Sequence, residues 1–363
     1  MVNIAQKYRA IGKKETLYIL PGIVPPSAEE TGSKPDARNG WTILLAGGGG
    51  SRLSRFVSRF HPDDRPKQFA TLIGTRSMVQ HTFDRALRHS LQGRVVTVIS
   101  KGQERWASAQ LPEELARNLL VQPLNLDTGP AICLAVAHVM ASEPEACVLI
   151  LPTDHFVFPE HVLAKHIFKA LAALSENGEM KTVLFGAAPS GPLEGMGWIL
   201  PGDPAGEDGR TGFRKVRGFI EKPRSGLAAR LYASGAMWNT FIMAGRARHL
   251  WHLFEKRVPE AASRIARFHR LLTQGGARCM QEESLQEVAP FNFSSQILER
   301  EPGEFVVTPL EGVAWSDWGT PKGVEETLKS MGWTYRMERL TRKRLIAQEA
   351  SFAAASAAPS SAL

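Results

Sequence analysis

Short apolar runs alternate with helical patterns through the first half of this chain, and that alternation restricts the fold more than any other feature. The runs cover residues 41–46, 95–100, 119–122, 147–151 and 182–187. Val, Ile and Leu fill both odd and even positions in them, as in strands buried on both faces. Helical patterns lie between the runs at 77–90, 129–142 and 160–175. Strands that alternate with helices pair in parallel, and the connecting helices cover both faces of the sheet. The expected fold is therefore α/β, a Rossmann-like, mostly parallel mixed sheet with helices on both faces. The second half is less regular, with strand candidates at 213–221, 238–244 and 304–309 and a largely helical stretch at 247–272. No internal repeat is visible.

The 363 residues, 43% of them hydrophobic, suffice for one large domain or for a domain with a small appendage. Residues 1–38 mix Pro, Gly, Ser and charge without period, which predicts a poorly ordered N-terminal extension. The main domain is expected over 39–325, followed at 326–363 by a C-terminal helix and an Ala/Ser-rich tail. The first twenty residues lack the continuous apolar stretch of a signal peptide, and no apolar run approaches the roughly 20 residues that span a bilayer. Cys133, Cys147 and Cys279 are far apart and odd in number, forming neither a zinc pattern nor a disulfide framework. A reducing cytoplasm is the expected location.

The net charge of +8 fits either nucleic acid or small polyanions as partners. One basic cluster, Arg52, Arg55, Arg59, Arg65 and Lys67, directly follows a glycine run, which favours small polyanions such as nucleoside triphosphates over nucleic acid or membrane. A second, Arg336, Arg339, Arg342, Lys343 and Arg344, reads as a solvated helix face.

The glycine run begins where the first strand ends. Ala46 leads into Gly47, Gly48, Gly49 and Gly50, then Ser51 and Arg52. Glycines let backbone N–H groups approach a phosphate with no Cβ in the way. A dinucleotide fingerprint fails here, because its third glycine falls on Arg52 or Leu53, and no Gly-Lys-Ser/Thr follows to make a P-loop. Phosphate cradling by the loop, with Arg52 behind it, is the favoured reading. Lys67, in Arg65-Pro66-Lys67-Gln68-Phe69, is a second cation that could neutralise charge on a phosphorus under attack. Asp154 ends the apolar strand 147–151, at the edge where open α/β sheets bind ligands, so it suits either Mg²⁺ or the cap of a following helix.

Gly-Gly-x-Gly-Ser-Arg-Leu followed by Pro-Lys-Gln-Phe resembles the sugar-1-phosphate nucleotidylyltransferases, especially their mannose-1-phosphate guanylyltransferase branch. The resemblance covers residues 41–322 and implies a fold of the nucleotide-diphospho-sugar transferase type. Leu-Pro-Thr-Asp-His at 151–155 resembles the family segment whose Asp holds the metal, and Trp315-Ser316-Asp317-Trp318-Gly319-Thr320 resembles the segment carrying the second ligand. By this resemblance Asp154 and Asp317 bind Mg²⁺. Phe219-Ile220-Glu221-Lys222-Pro223 resembles the Glu-Lys-Pro signature, with Glu221 on sugar hydroxyls and Lys222 on the sugar phosphate. Asn239 and Gly197 match further sugar contacts. Gln122 and Thr128 lie in a segment that the family sets beside base and ribose. The backbone from Ala46 to Ser51, with Arg52 and Lys67, takes the triphosphate. His155 is given no catalytic role. The chain departs from the family at Gly129, Leu200 and 293–298, where the family usually has Ala, often Glu and an acidic segment. No fused isomerase or β-helix domain is expected within the short remainder of these 363 residues.

The implied reaction makes nucleotide-sugar and pyrophosphate from a sugar-1-phosphate and an NTP, best matched by mannose-1-phosphate and GTP. Arg52, Lys67, Asp154 and Lys222 are the implied catalytic set. The same chemistry on glucose-1-phosphate with UTP or dTTP stays open, as does a non-catalytic nucleotide-sugar sensor. Its partners are the small-molecule substrates, and a homo-oligomer is compatible with all of this.

Overall fold

The computed structural model describes residues 40–178, 180–205, 212–275, 285 and 288–332. Residues 1–38, the second basic cluster, Cys279 and the Ala/Ser-rich tail lie outside them.

The strands are β1 (Trp41–Leu45), β2 (Val95–Ser100), β3 (Leu119–Gln122), β4 (Cys147–Pro152), β5 (Phe156–Phe158), β6 (Thr182–Ala187), β7 (Gly197–Pro204), β8 (Arg214–Glu221), β9 (Met237–Arg246), β10 (Phe305–Pro309) and β11 (Ala314–Ser316). Nine form one sheet in the order β3-β2-β1-β4-β9-β6-β10-β8-β7, and β11 pairs with β5 in a separate ribbon. β1, β2, β3 and β4 are mutually parallel, and β6 pairs parallel with β10. β9 runs antiparallel to β4 and β6, and β8 antiparallel to β10 and β7, so the sheet is mixed.

Both faces are covered, as the two-sided apolar runs require. In β1, Ile43 packs with helices Thr128–Ser142, Ala247–Arg257 and Pro259–Thr273 on one face. Leu44 packs on the other with Met78–Ala86 and Glu160–Glu176. Thr128–Ser142 is buried almost all round because it is sandwiched between the sheet and the two later helices. The helical stretch 247–272 divides at Val258, where Pro259 opens the second helix, since proline fits a first turn but not an interior. Ser77 starts Met78–Ala86 with a capping box to Gln80. Helix Pro321–Ser330 straddles the expected boundary after 325, burying Val324 and Leu328 beside Leu53, Phe56 and Trp318. It therefore packs as part of the domain.

β2 and β3 lie to one side of β1 and β4 to the other. The chain thus leaves the ends of β1 and β4 in diverging directions and opens a crevice there, where doubly wound sheets bind ligands. Among the described residues, no helix is long and apolar enough to cross a membrane.

Candidate active site

A cleft of about 620 Å³ opens at this switch point. Gly47, Gly48 and Arg52 line it after β1, Asp154 and His155 after β4, and Asp317 after β11. Gln122 and Thr128 line one flank; Gly197, Glu221, Lys222 and Asn239 line the other. Residues separated by up to 270 positions therefore share one wall.

In the glycine loop the carbonyls are held inward. Gln68 Nε2 donates to Ala46 O at 2.5 Å and to Gly48 O at 2.7 Å. Ser100 Oγ donates to Gly47 O at 2.8 Å, and Gln103 Nε2 donates to Gly48 O at 3.2 Å. The N–H groups of Gly47, Gly48, Gly49 and Gly50 have no acceptor among the described residues. Gly50 has φ +61°, and a Cβ there would lie 2.8 Å from the Lys67 backbone nitrogen. It is glycine so that the loop can close onto the 66–69 segment. Ala46 is buried, whereas Gly49 and Ser51 are exposed outside the cleft wall.

Lys67 stands behind the wall rather than on it. It is 5% exposed, and its Nζ lies 2.9 Å from Asp154 Oδ2, 2.7 Å from Asp317 O and 3.2 Å from Trp318 O. Three acceptors use its three N–H donors. In this position Lys67 braces both acidic segments, behind the glycine run beside which the sequence places it.

The two aspartates meet because β5 and β11 pair. Their register sets Ser316 opposite Phe156, which brings Asp317 beside His155 and Asp154. Burial by itself would raise the Asp154 carboxyl, but the charge of Lys67, with His155 and the Lys67 hydrogen bond, outweighs it and holds the group below the usual carboxylate value. Asp317 Oδ1 accepts from Gly319 N–H at 3.0 Å, and its Oδ2 is 3.9 Å from Arg52. A Cβ at Gly319 would collide with Asp317 Oδ2, so only glycine leaves room for this carboxylate. The tighter contact of each aspartate takes one oxygen, Oδ2 of Asp154 and Oδ1 of Asp317; the other oxygens have only longer contacts, to His155 Nε2 at 3.5 Å and to Arg52 at 3.9 Å. Hard carboxylate oxygens in this number suit Mg²⁺ completed by substrate and water oxygens. Among the described residues, no group of three or more His, Cys, Asp or Glu side chains could hold a metal.

His155 Nδ1 lies 3.1 Å from the Thr240 carbonyl, which can only accept, so this nitrogen carries the hydrogen. Burial holds the ring below its ordinary pKa despite the pull of Asp154, and its edge meets Trp315 at 5.3 Å. Its Nε2 lies 3.5 Å from Asp154 Oδ1.

On the opposite flank, β7 and β8 set Gly197 directly across from Glu221. A Cβ on Gly197 would come within 2.8 Å of Glu221 Oε2. Asn239 Oδ1 accepts from Phe241 N–H at 3.1 Å, which leaves its N–H donors for a ligand. Lys222 Nζ is 3.1 Å from Glu221 Oε1 and more than half exposed. Lys222, Asp127, Phe241 and Trp318 all have positive φ without being glycine. The first three line the cleft, and the fourth adjoins Asp317. Such strained backbone gathers at sites that bind ligands.

A protein-family model described as nucleotidyl transferase matches residues 41–331. The chain belongs to the nucleotidyl transferase family. The xanthan biosynthesis protein XanB of Xanthomonas campestris is 30% identical over 289 residues, 77% of this nucleotidyl transferase and 57% of that protein. The mannose-1-phosphate guanylyltransferase RfbM of Salmonella typhimurium is 32% identical over 224 residues, 60% of this chain and 44% of that one. The chain thus spans about half the length of these curated relatives. Among solved structures, a mannose-1-phosphate geranyltransferase from Thermus thermophilus superposes with a TM-score of 0.66 at 24% identity, covering 80% of this chain and 79% of that one, which establishes the shared fold.

Several wall residues were not singled out in the sequence: Asn125 and Asp127 within the segment that holds Gln122 and Thr128, Phe241 in a strand, and Asn292 and Ser294 at the start of an unusual stretch. Glu299 accepts from the Glu221 backbone N–H at 2.5 Å from 78 residues away. The only hint was the unusual 293–298 stretch, which forms a π-helical turn at Ser294–Leu298.

Proposed function

We propose that this nucleotidyl transferase joins a sugar-1-phosphate to the nucleoside monophosphate portion of an NTP and releases pyrophosphate, with GTP and mannose-1-phosphate as the pair. The observation that carries this reading is the shared cleft: an outward-facing glycine loop and Arg52 on one side, Glu221, Lys222 and Asn239 on the other, and two aspartates between. It can accept two phosphorylated substrates end to end with their phosphates meeting at the acidic pair. The guanylyltransferase named among the relatives supports the choice of substrates.

A sugar-phosphate oxygen attacks the α-phosphorus. A new P–O bond forms, the bond to the β-phosphate bridging oxygen breaks, and pyrophosphate leaves with that electron pair. The nucleophile is already an anion, so no general base is needed. Alignment and charge neutralisation supply the rate. Arg52 and the N–H groups of the glycine loop hold the β and γ phosphates. Lys222 holds the sugar phosphate, and Glu221 and Asn239 bond sugar hydroxyls. Gln122 and Thr128 flank the base. Asp154 and Asp317 would hold Mg²⁺, which would neutralise charge on the transferring phosphoryl group. Lys67 keeps Asp154 ionised and fixed. The catalytic unit is residues 40–330, working in the cytoplasm.

The test is a pyrophosphate-release screen of four triphosphates against several sugar-1-phosphates. Turnover confined to GTP with mannose-1-phosphate is expected. Preference for glucose-1-phosphate with UTP or dTTP would overturn the substrate pair, and no turnover with any pair would overturn the reaction.

A further inference from the structure

Gln68 follows Lys67 in sequence and is 2% exposed, yet nothing in the proposed chemistry uses it. Both hydrogens of its amide go to carbonyls of the glycine loop, Ala46 O at 2.5 Å and Gly48 O at 2.7 Å. Ser100 and Gln103 hold Gly47 O and Gly48 O in the same way. A trans peptide is planar, and its N–H points opposite to its C=O. Fixing the oxygens of residues 46 and 48 inward therefore fixes the N–H groups of Gly47 and Gly49 outward. Consecutive glycines have no side chains to enforce this, and each could rotate at little steric cost. A rotated peptide would present oxygen, not N–H, to an anion.

We infer that Gln68 is a positioning residue for the triphosphate: its side-chain amide sets the direction of the glycine-loop peptides and keeps their carbonyls away from the phosphates. This rests on the proposed reaction only in taking the loop's ligand to be a phosphate chain. A buried glutamine that merely fills space would need the right volume but not two donors.

Gln68→Glu keeps the size and removes both donors. Its carboxylate would face two carbonyl oxygens, so the loop must turn or the acid must take up a proton. Protonated, it regains one O–H donor. Gln68→Met keeps bulk without any donor at either pH. The KM for GTP and the Kd for inorganic pyrophosphate, measured by calorimetry, are expected to rise about 10²-fold in Gln68→Glu at pH 8, while the KM for sugar-1-phosphate stays within about twofold. Relative to wild type, that defect should shrink at pH 6 in Gln68→Glu and persist in Gln68→Met.

Unchanged pyrophosphate affinity in a folded Gln68→Glu protein would overturn the inference. So would an equal rise in both KM values, or a defect identical in the two variants at both pH values. Because pyrophosphate binding needs no turnover, a wild-type protein that binds pyrophosphate but transfers nothing would refute the reaction and leave the role of Gln68 measurable.

Discussion

Residue by residue, the cleft depends on a few atoms with no substitute. Asp154 presents one oxygen to Lys67 at 2.9 Å and the other to His155 at 3.5 Å, and the proposed reaction gives it the metal. Asp154→Asn is expected to lower turnover by at least about 10²-fold, the usual cost of losing a charge-stabilising group, while circular dichroism stays native. Wild-type rates in the purified variant would remove Asp154 from the reaction. Gly197→Ala tests the other flank. Its Cβ would meet Glu221 Oε2 at 2.8 Å and Phe219 Cζ at 2.9 Å, so the glutamate must move. The KM for sugar-1-phosphate should rise about tenfold, roughly 1.4 kcal/mol, with the KM for NTP unchanged. Most of the wall was legible at this scale, because Asp154, Asp317, Glu221, Lys222 and Asn239 stand in recognisable strings and all reach the cleft. The partners of Lys67 were not legible, because the three acceptors that use its donors come from segments 87 and about 250 residues away.

At the scale of elements, the β5–β11 ribbon assembles the acidic pair. It has only three residues per strand, too few to stand alone, and is held by packing at its ends. Phe156 and Trp318 stack with ring centroids 5.0 Å apart, and Trp318 is 2% exposed. Trp318→Ala should cost about 3–5 kcal/mol of unfolding free energy, and the loosened Asp317 should raise the Mg²⁺ concentration needed for half-maximal rate. Denaturant midpoints and a metal titration would measure the two effects, and an unchanged midpoint would contradict this packing role. No sequence pattern announced the ribbon, since three residues carry too little period to read. β7 was also missed, because Pro201, Gly202 and Pro204 give it the composition of a loop.

Across the whole molecule, the two buried layers make stability depend on pH. Burial, with help from Arg88 and Arg85, lowers His89 to about 4, and burial likewise lowers His269 to about 4. The unfolded chain keeps both near 6.5 and so binds more protons between pH 6.5 and 4. A folded pKa below the unfolded one gives stability that is present above pH 6.5 and lost as pH falls towards 4, about 3 kcal/mol by pH 4 for His89. Urea midpoints should therefore fall steadily from pH 7 to pH 4.5, and a flat profile would contradict these assignments. The α/β class, most strand positions and the glycine loop were determined by the sequence alone, because hydrophobic period and turn chemistry act within a few neighbouring residues. The antiparallel insertion of β9 and β8, the pairing of β5 with β11, the brace at Lys67 and the inward turn of the loop carbonyls were decided only by tertiary structure. Each joins atoms far apart along the chain, and no local pattern records which distant group will be there to accept a hydrogen bond.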